Sequence, residues 1–122
     1  MRYMYLVMTS PDIGPPPARL MAEVDKMAAQ AVKDGMMIGG GGLMPISQAV
    51  RVRVKGGKLS VTDGPFTESK EVLGGYAIFE FPNREAAVKS MIDFMELHRL
   101  YGEGWEGVCE MREMMAGPPP HG

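Results

Sequence analysis

Cysteine is almost absent from this sequence, and Cys109 stands alone. A lone thiol cannot form a disulfide within the chain, so a reducing, cytoplasmic setting is the expectation. Histidine is scarce too: only His98 and His121 occur, with no His-x-His or Glu-x-x-His spacing, so no metal site is expected. Neither sign of charge dominates. Thirteen Lys and Arg against fifteen Asp and Glu give a net charge of −2 and a pI near 5.7, which offers nucleic acid no electrostatic footprint. Long apolar runs are also missing. The N-terminal MRYMYLVM is broken by Thr9, Ser10, Pro11 and Asp12, too short for a signal-peptide core or for a membrane span of roughly 20 residues.

What is present describes one small α+β domain. The 122 residues suffice for a single core, and 45% hydrophobic with 23% charged residues is an ordinary globular balance. Glycine and proline together, 16 and 10, call for several turns. Thirteen methionines fall largely at core-like spacing and are expected to pack. The domain is expected over residues 1–113, followed by a flexible Pro/Gly-rich tail, 114–122.

Along the chain, Tyr3 to Thr9 alternates as a strand with apolar or aromatic groups on both faces. After the Pro15-Pro16-Pro17 loop, Leu20, Val24, Met27, Ala28, Ala31 and Val32 make a helical stripe over Ala18 to Lys33. Met36 to Leu43 is extended and holds Gly39 to Gly42, read as a bulge or a close backbone approach. Val50, Val52 and Val54 alternate with Arg51, Arg53 and Lys55, and Leu59 and Val61 resume the period after Gly56-Gly57, which predicts a β-hairpin. Val72 to Phe81 is a long strand. Asn83 is placed to cap a helix from Arg84 whose stripe is Val88, Met91, Ile92 and Met95, and Glu106 to Arg112 is the last strand.

This order suits a ferredoxin-like antiparallel sheet with two helices on one face and an extra hairpin. The opposite face is expected to carry Tyr3, Tyr5, Val7, Tyr76 and Ile78, a patch large enough to predict self-association through it.

Single residues allow plain and chemical readings side by side. Asp63 precedes Gly64-Pro65 and reads either as a turn-former or as a general base at the rim of a sheet-face cavity. Glu68 and Lys70 read as a surface ion pair or as ligand contacts. Tyr3, Tyr5 and Tyr76 read as interface packing or as groups that stack on a small organic ligand. His98, on the flank of its helix stripe, reads as a helix-end contact rather than a catalyst, and His121 belongs to the tail. The glycine run lacks the Gly-Lys-Ser/Thr ending of a phosphate-binding loop, so no nucleotide or other cofactor is expected.

The stretch Val61-Thr62-Asp63-Gly64-Pro65-Phe66-Thr67-Glu68-Ser69-Lys70-Glu71-Val72-Leu73-Gly74-Gly75-Tyr76 resembles the signature of the DGPF group within the YCII-related domain family. Arg2 to Tyr5, the Gly39–Pro45 run and the hairpin extend the resemblance over roughly residues 1 to 113. It implies a ferredoxin-like domain paired sheet to sheet as a homodimeric α/β barrel, in small, mostly uncharacterised bacterial proteins. The corresponding genes often neighbour those for extracytoplasmic-function sigma factors. The wider family is credited with a His–Asp pair whose His lies early in the chain; here the first histidine is His98.

Two functions from different classes follow as expectations. One is a homodimer binding a small organic ligand at the sheet face, with cofactor-free acid/base chemistry from Asp63 and with Tyr5, Phe66, Glu68, Lys70 and Tyr76 as ligand contacts. The other is a non-catalytic accessory or sensor protein in a sigma-factor pathway. No nucleic-acid or membrane partner is expected in either.

Overall fold

The computed structural model describes residues 1–64 and 71–116. Eight elements follow one another: β1 (Arg2–Thr9), α1 (Ala18–Lys33), β2 (Met37–Gly42), β3 (Val50–Lys55), β4 (Lys58–Asp63), β5 (Val72–Glu80), α2 (Arg84–Tyr101) and β6 (Gly107–Glu113). A single 3-10 turn, Ile46–Gln48, lies before β3. The last six residues of the expected tail lie outside the described residues.

Four strands form one antiparallel sheet in the order β2-β5-β1-β6, with α1 and α2 as the crossovers. This is the ferredoxin-like arrangement of two helices on one face of an antiparallel sheet. β3 and β4 are inserted between β2 and β5 and, among the described residues, pair only with each other, as a separate two-stranded ribbon. Its turn residues Gly56 and Gly57 sit at φ 59° and 75°, the left-handed region that a tight hairpin turn needs at both central positions.

The core lies between sheet and helices. Tyr3, Tyr5, Phe79, Phe81 and Ala87 are its buried centre, and Met37, Met91, Cys109 and Met111 pack around them. The rings interlock: Tyr5 and Phe79 lie 4.7 Å apart and Phe79 and Phe81 5.5 Å apart. The Tyr5 hydroxyl donates to the Ala87 carbonyl at 2.5 Å, tying β1 to the start of α2. The Asn83 side chain accepts the Ala86 amide at 2.8 Å and caps that helix.

Register corrects the expected faces of the sheet. Tyr3 pairs with Phe79 and Tyr5 with Ala77, so both tyrosines face the helices and are only 2% exposed. Directly opposed residues in an antiparallel pair share a face. The open face therefore carries Met4, Leu6 and Met8 from β1, opposite Ile78, Tyr76 and Leu73 from β5. Tyr76 and Ile78 are where the sequence put them; Tyr3, Tyr5 and Val7 are on the other side.

The α2 stripe holds in part: Met91 packs against the core, and Val88 and Met95 are half-buried. Ala87 and His98 are the buried positions, whereas Ile92 is 56% exposed. On α1, Leu20 is buried, but Val32 is exposed.

Candidate functional site

The open face of the four-stranded sheet is the best-defined candidate surface. Its centre is the Tyr76–Leu6 pair, with Ile78–Met4 beside it. On the β2 side, Gly41 opposes Tyr76 and Gly39 opposes Ile78, so no side chain flanks either residue there. The result is a backbone ledge beside the Tyr76 ring. A register shift between Met37 and Gly39 marks the bulge that starts it. Gly40, one residue along, lies on the helix side at φ 152°, where an added Cβ would come 2.6 Å from the Tyr76 carbonyl oxygen. Close strand approach thus accounts for Gly40, whereas a Cβ at Gly39 or Gly41 would meet nothing within 4 Å.

On the β6 side, Glu110 opposes Leu6 and Arg112 opposes Met4, with Val108 opposite Met8. One margin of this apolar face is therefore ionic and the other is bare main chain. Glu110 and Arg112 escaped the reading from sequence. The available signal was their period of two with Val108, which assigns them to the face of Leu6 once the β1–β6 register is known.

The predicted site residues do not all meet. Tyr76 is on the open face and 36% exposed. Tyr5 is on the opposite face, and its hydroxyl is engaged by Ala87. Burial pushes the Tyr5 phenol above its ordinary range, so it stays protonated. Asp63 is exposed at the foot of the ribbon, where the Gly64 amide donates to the Ala49 carbonyl at 2.8 Å. By register Asp63 pairs with Val50 and shares the ribbon face of Val52 and Val61. Phe66, Glu68 and Lys70 lie outside the described residues.

His98 is a packed residue. It is 8% exposed, wedged with ring centroids 4.6 Å from both Phe94 and Trp105, and its Nδ1 donates to the Phe94 carbonyl at 3.0 Å. Every buried side-chain nitrogen or oxygen among the described residues has a hydrogen-bond partner. No orphaned polar group marks a second pocket there.

Two solvent-open depressions lie on the helices rather than on the sheet face. One, about 350 Å³, is bordered by Arg84, Val88 and Ile92; the other, about 560 Å³, runs between α1 and α2 past Lys26, Asp34 and Asp93. Neither is lined by a residue that the sequence offers as a catalytic or ligand-binding candidate. Among the described residues no group of three or more His, Cys, Asp or Glu is arranged to hold a metal ion. No described helix is long and apolar enough to cross a membrane.

Two helices over one face of a four-stranded antiparallel sheet, with the other face open, define the structural class. Within it, the chain belongs to the YCII-related domain family, whose sequence profile matches residues 1–94. The match ends inside α2, short of the 1–113 expected from resemblance; β6 lies beyond it yet supplies one edge of the sheet. Among curated proteins, nothing matches the chain.

Proposed function

We propose that this protein works as a homodimer in which two open sheet faces meet as an α/β barrel and enclose a site for a small organic ligand. The observation carrying this reading is the composition of the open face. An aromatic ring, Tyr76, stands between a glycine ledge and an apolar strand, with Glu110 and Arg112 along the far margin. A mostly apolar wall with a few ionic groups is the usual make-up of a small-molecule site. Tyr76 supplies a stacking face and a hydroxyl; Arg112 favours an anionic group on the ligand.

Asp63, within the stretch that resembles the DGPF signature, is the acid/base group in this reading. A carboxylate that positions or deprotonates a ligand contributes a charge-assisted hydrogen bond, which is lost on truncation. Tyr5 takes no part in ligand contact and serves as a core anchor.

The test is a thermal-shift and calorimetric screen of small organic acids on the wild type, Asp63→Ala and Tyr76→Ala. A ligand should raise the melting temperature of the wild type, and its Kd should weaken at least about tenfold in both variants. Equal affinity in wild type and Asp63→Ala would remove Asp63 from the site. A protein that no small molecule stabilises, but that binds a purified sigma factor, would favour the accessory role instead.

A further inference from the structure

The β3–β4 ribbon presents an anomaly separate from the sheet face. In its register Val52 opposes Val61 and Val54 opposes Leu59, with Val50 next in line. All five side chains therefore share one face, and they are 60–73% exposed. Among the described residues, no extensive packing joins the ribbon to the sheet or the helices. A lone two-stranded hairpin is marginal in water, and one with a continuous aliphatic face needs a cover.

We propose that this face is an arm that packs against a second copy of the chain. Size is the first reason. The five side chains expose on the order of 500 Å² of apolar surface, as large as the largest patch on an ordinary monomer. Added to the apolar part of the open sheet face, this approaches the roughly 800 Å² per partner that a stable interface buries.

Charge is the second reason. Residues 50–63 hold Arg51, Arg53, Lys55 and Lys58 against Asp63 alone. The remainder of the chain holds nine Lys and Arg against fourteen Asp and Glu. These basic residues lie on the ribbon face opposite the aliphatic one and so act at long range: the net positive arm of one copy is drawn toward the net negative body of another, which steers the encounter. Asp63 lies at the foot of the same face, so docking of the arm carries this acid to the boundary between copies.

The inference rests on the pairing of copies proposed above and adds to it a second patch on a different element. Sedimentation equilibrium on the wild type, on a Val52→Asp/Val61→Asp variant and on Ser60→Asp tests it, because Ser60 pairs with Arg53 on the other ribbon face. The double variant should weaken the dimer at least roughly 100-fold, since it buries unpaired charge, and Ser60→Asp by less than about threefold. An undiminished dimer in the double variant, or equal loss in Ser60→Asp, overturns the arm and leaves the sheet-face pairing standing. A monomeric wild type overturns both.

Wild-type hydrogen exchange keeps the inference testable if the double variant misfolds. Amides of 50–63 should lose protection on dilution through the dimer's dissociation range while those of β1 keep theirs. Protection independent of concentration in both segments would overturn the arm.

Discussion

Cys109 lies on β6 opposite Val7, on the helix side of the sheet, packed against the aromatic core. Burial pushes its thiol up to about 11, whereas an unfolded cysteine titrates near 8.5. The folded chain therefore holds a proton that the unfolded chain gives up between those values. Stability contributed by this thiol is complete below about pH 8.5 and declines as pH rises toward 11. Alkylation by iodoacetamide at pH 8 should run at least about tenfold slower in the native protein than after denaturation, because the thiolate is scarce and half-covered. Equal rates would show that the thiol is neither buried nor shifted. His98 also belongs to the packed interior: its ring is held between Phe94 and Trp105, and the Phe94 carbonyl fixes one nitrogen.

At the scale of elements, the Tyr5 hydroxyl links the central strand β1 to α2 through the Ala87 carbonyl. Tyr5→Phe keeps the ring against Phe79 and removes only that bond. It should cost about 1–2 kcal/mol in chemical denaturation, with the fold retained. No loss of stability would mean that the carbonyl finds another donor at no cost. The same residue shows where reading from sequence reaches its limit. Alternation correctly predicted β1 as a strand and β5 as another, and α1 was legible to the residue from its stripe. Alternation alone does not set the phase between two strands that are apolar on both sides. Alternation therefore groups Tyr3 and Tyr5 with Tyr76, although their pairing with Phe79 and Ala77 puts them on the opposite face. In α2 the misleading signal was apolarity itself. Ile92 looked like core and is exposed, while Ala87 and His98, small and polar, are the buried positions. The valine ribbon was legible as a hairpin from Gly56-Gly57, but its detachment from the sheet was not, because no local pattern encodes which strands it leaves unpaired.

For the whole molecule, the distribution of apolar groups is lopsided. The helices cover one face of the sheet, while Met4, Leu6, Met8, Tyr76 and Ile78 form the other without a covering layer from the described chain. A two-layer domain that leaves such a face open loses the stabilisation its burial would supply, about 25 cal/mol per Å² of apolar area. The proposed pairing of two copies through that face would recover it and enclose the Tyr76 ledge at the same time. Under the proposed pairing, a molecule seated on the ledge would contact only the paired state in full and would stabilise it by mass action.

Light scattering of the wild type at micromolar concentration, beside an Ile78→Glu variant, tests this most directly. We predict a particle of twice 13.3 kDa for the wild type and one of 13.3 kDa for the folded variant, whose carboxylate would sit unpaired between the sheets. A wild type that scatters as 13.3 kDa, or a variant that remains paired, would contradict the account.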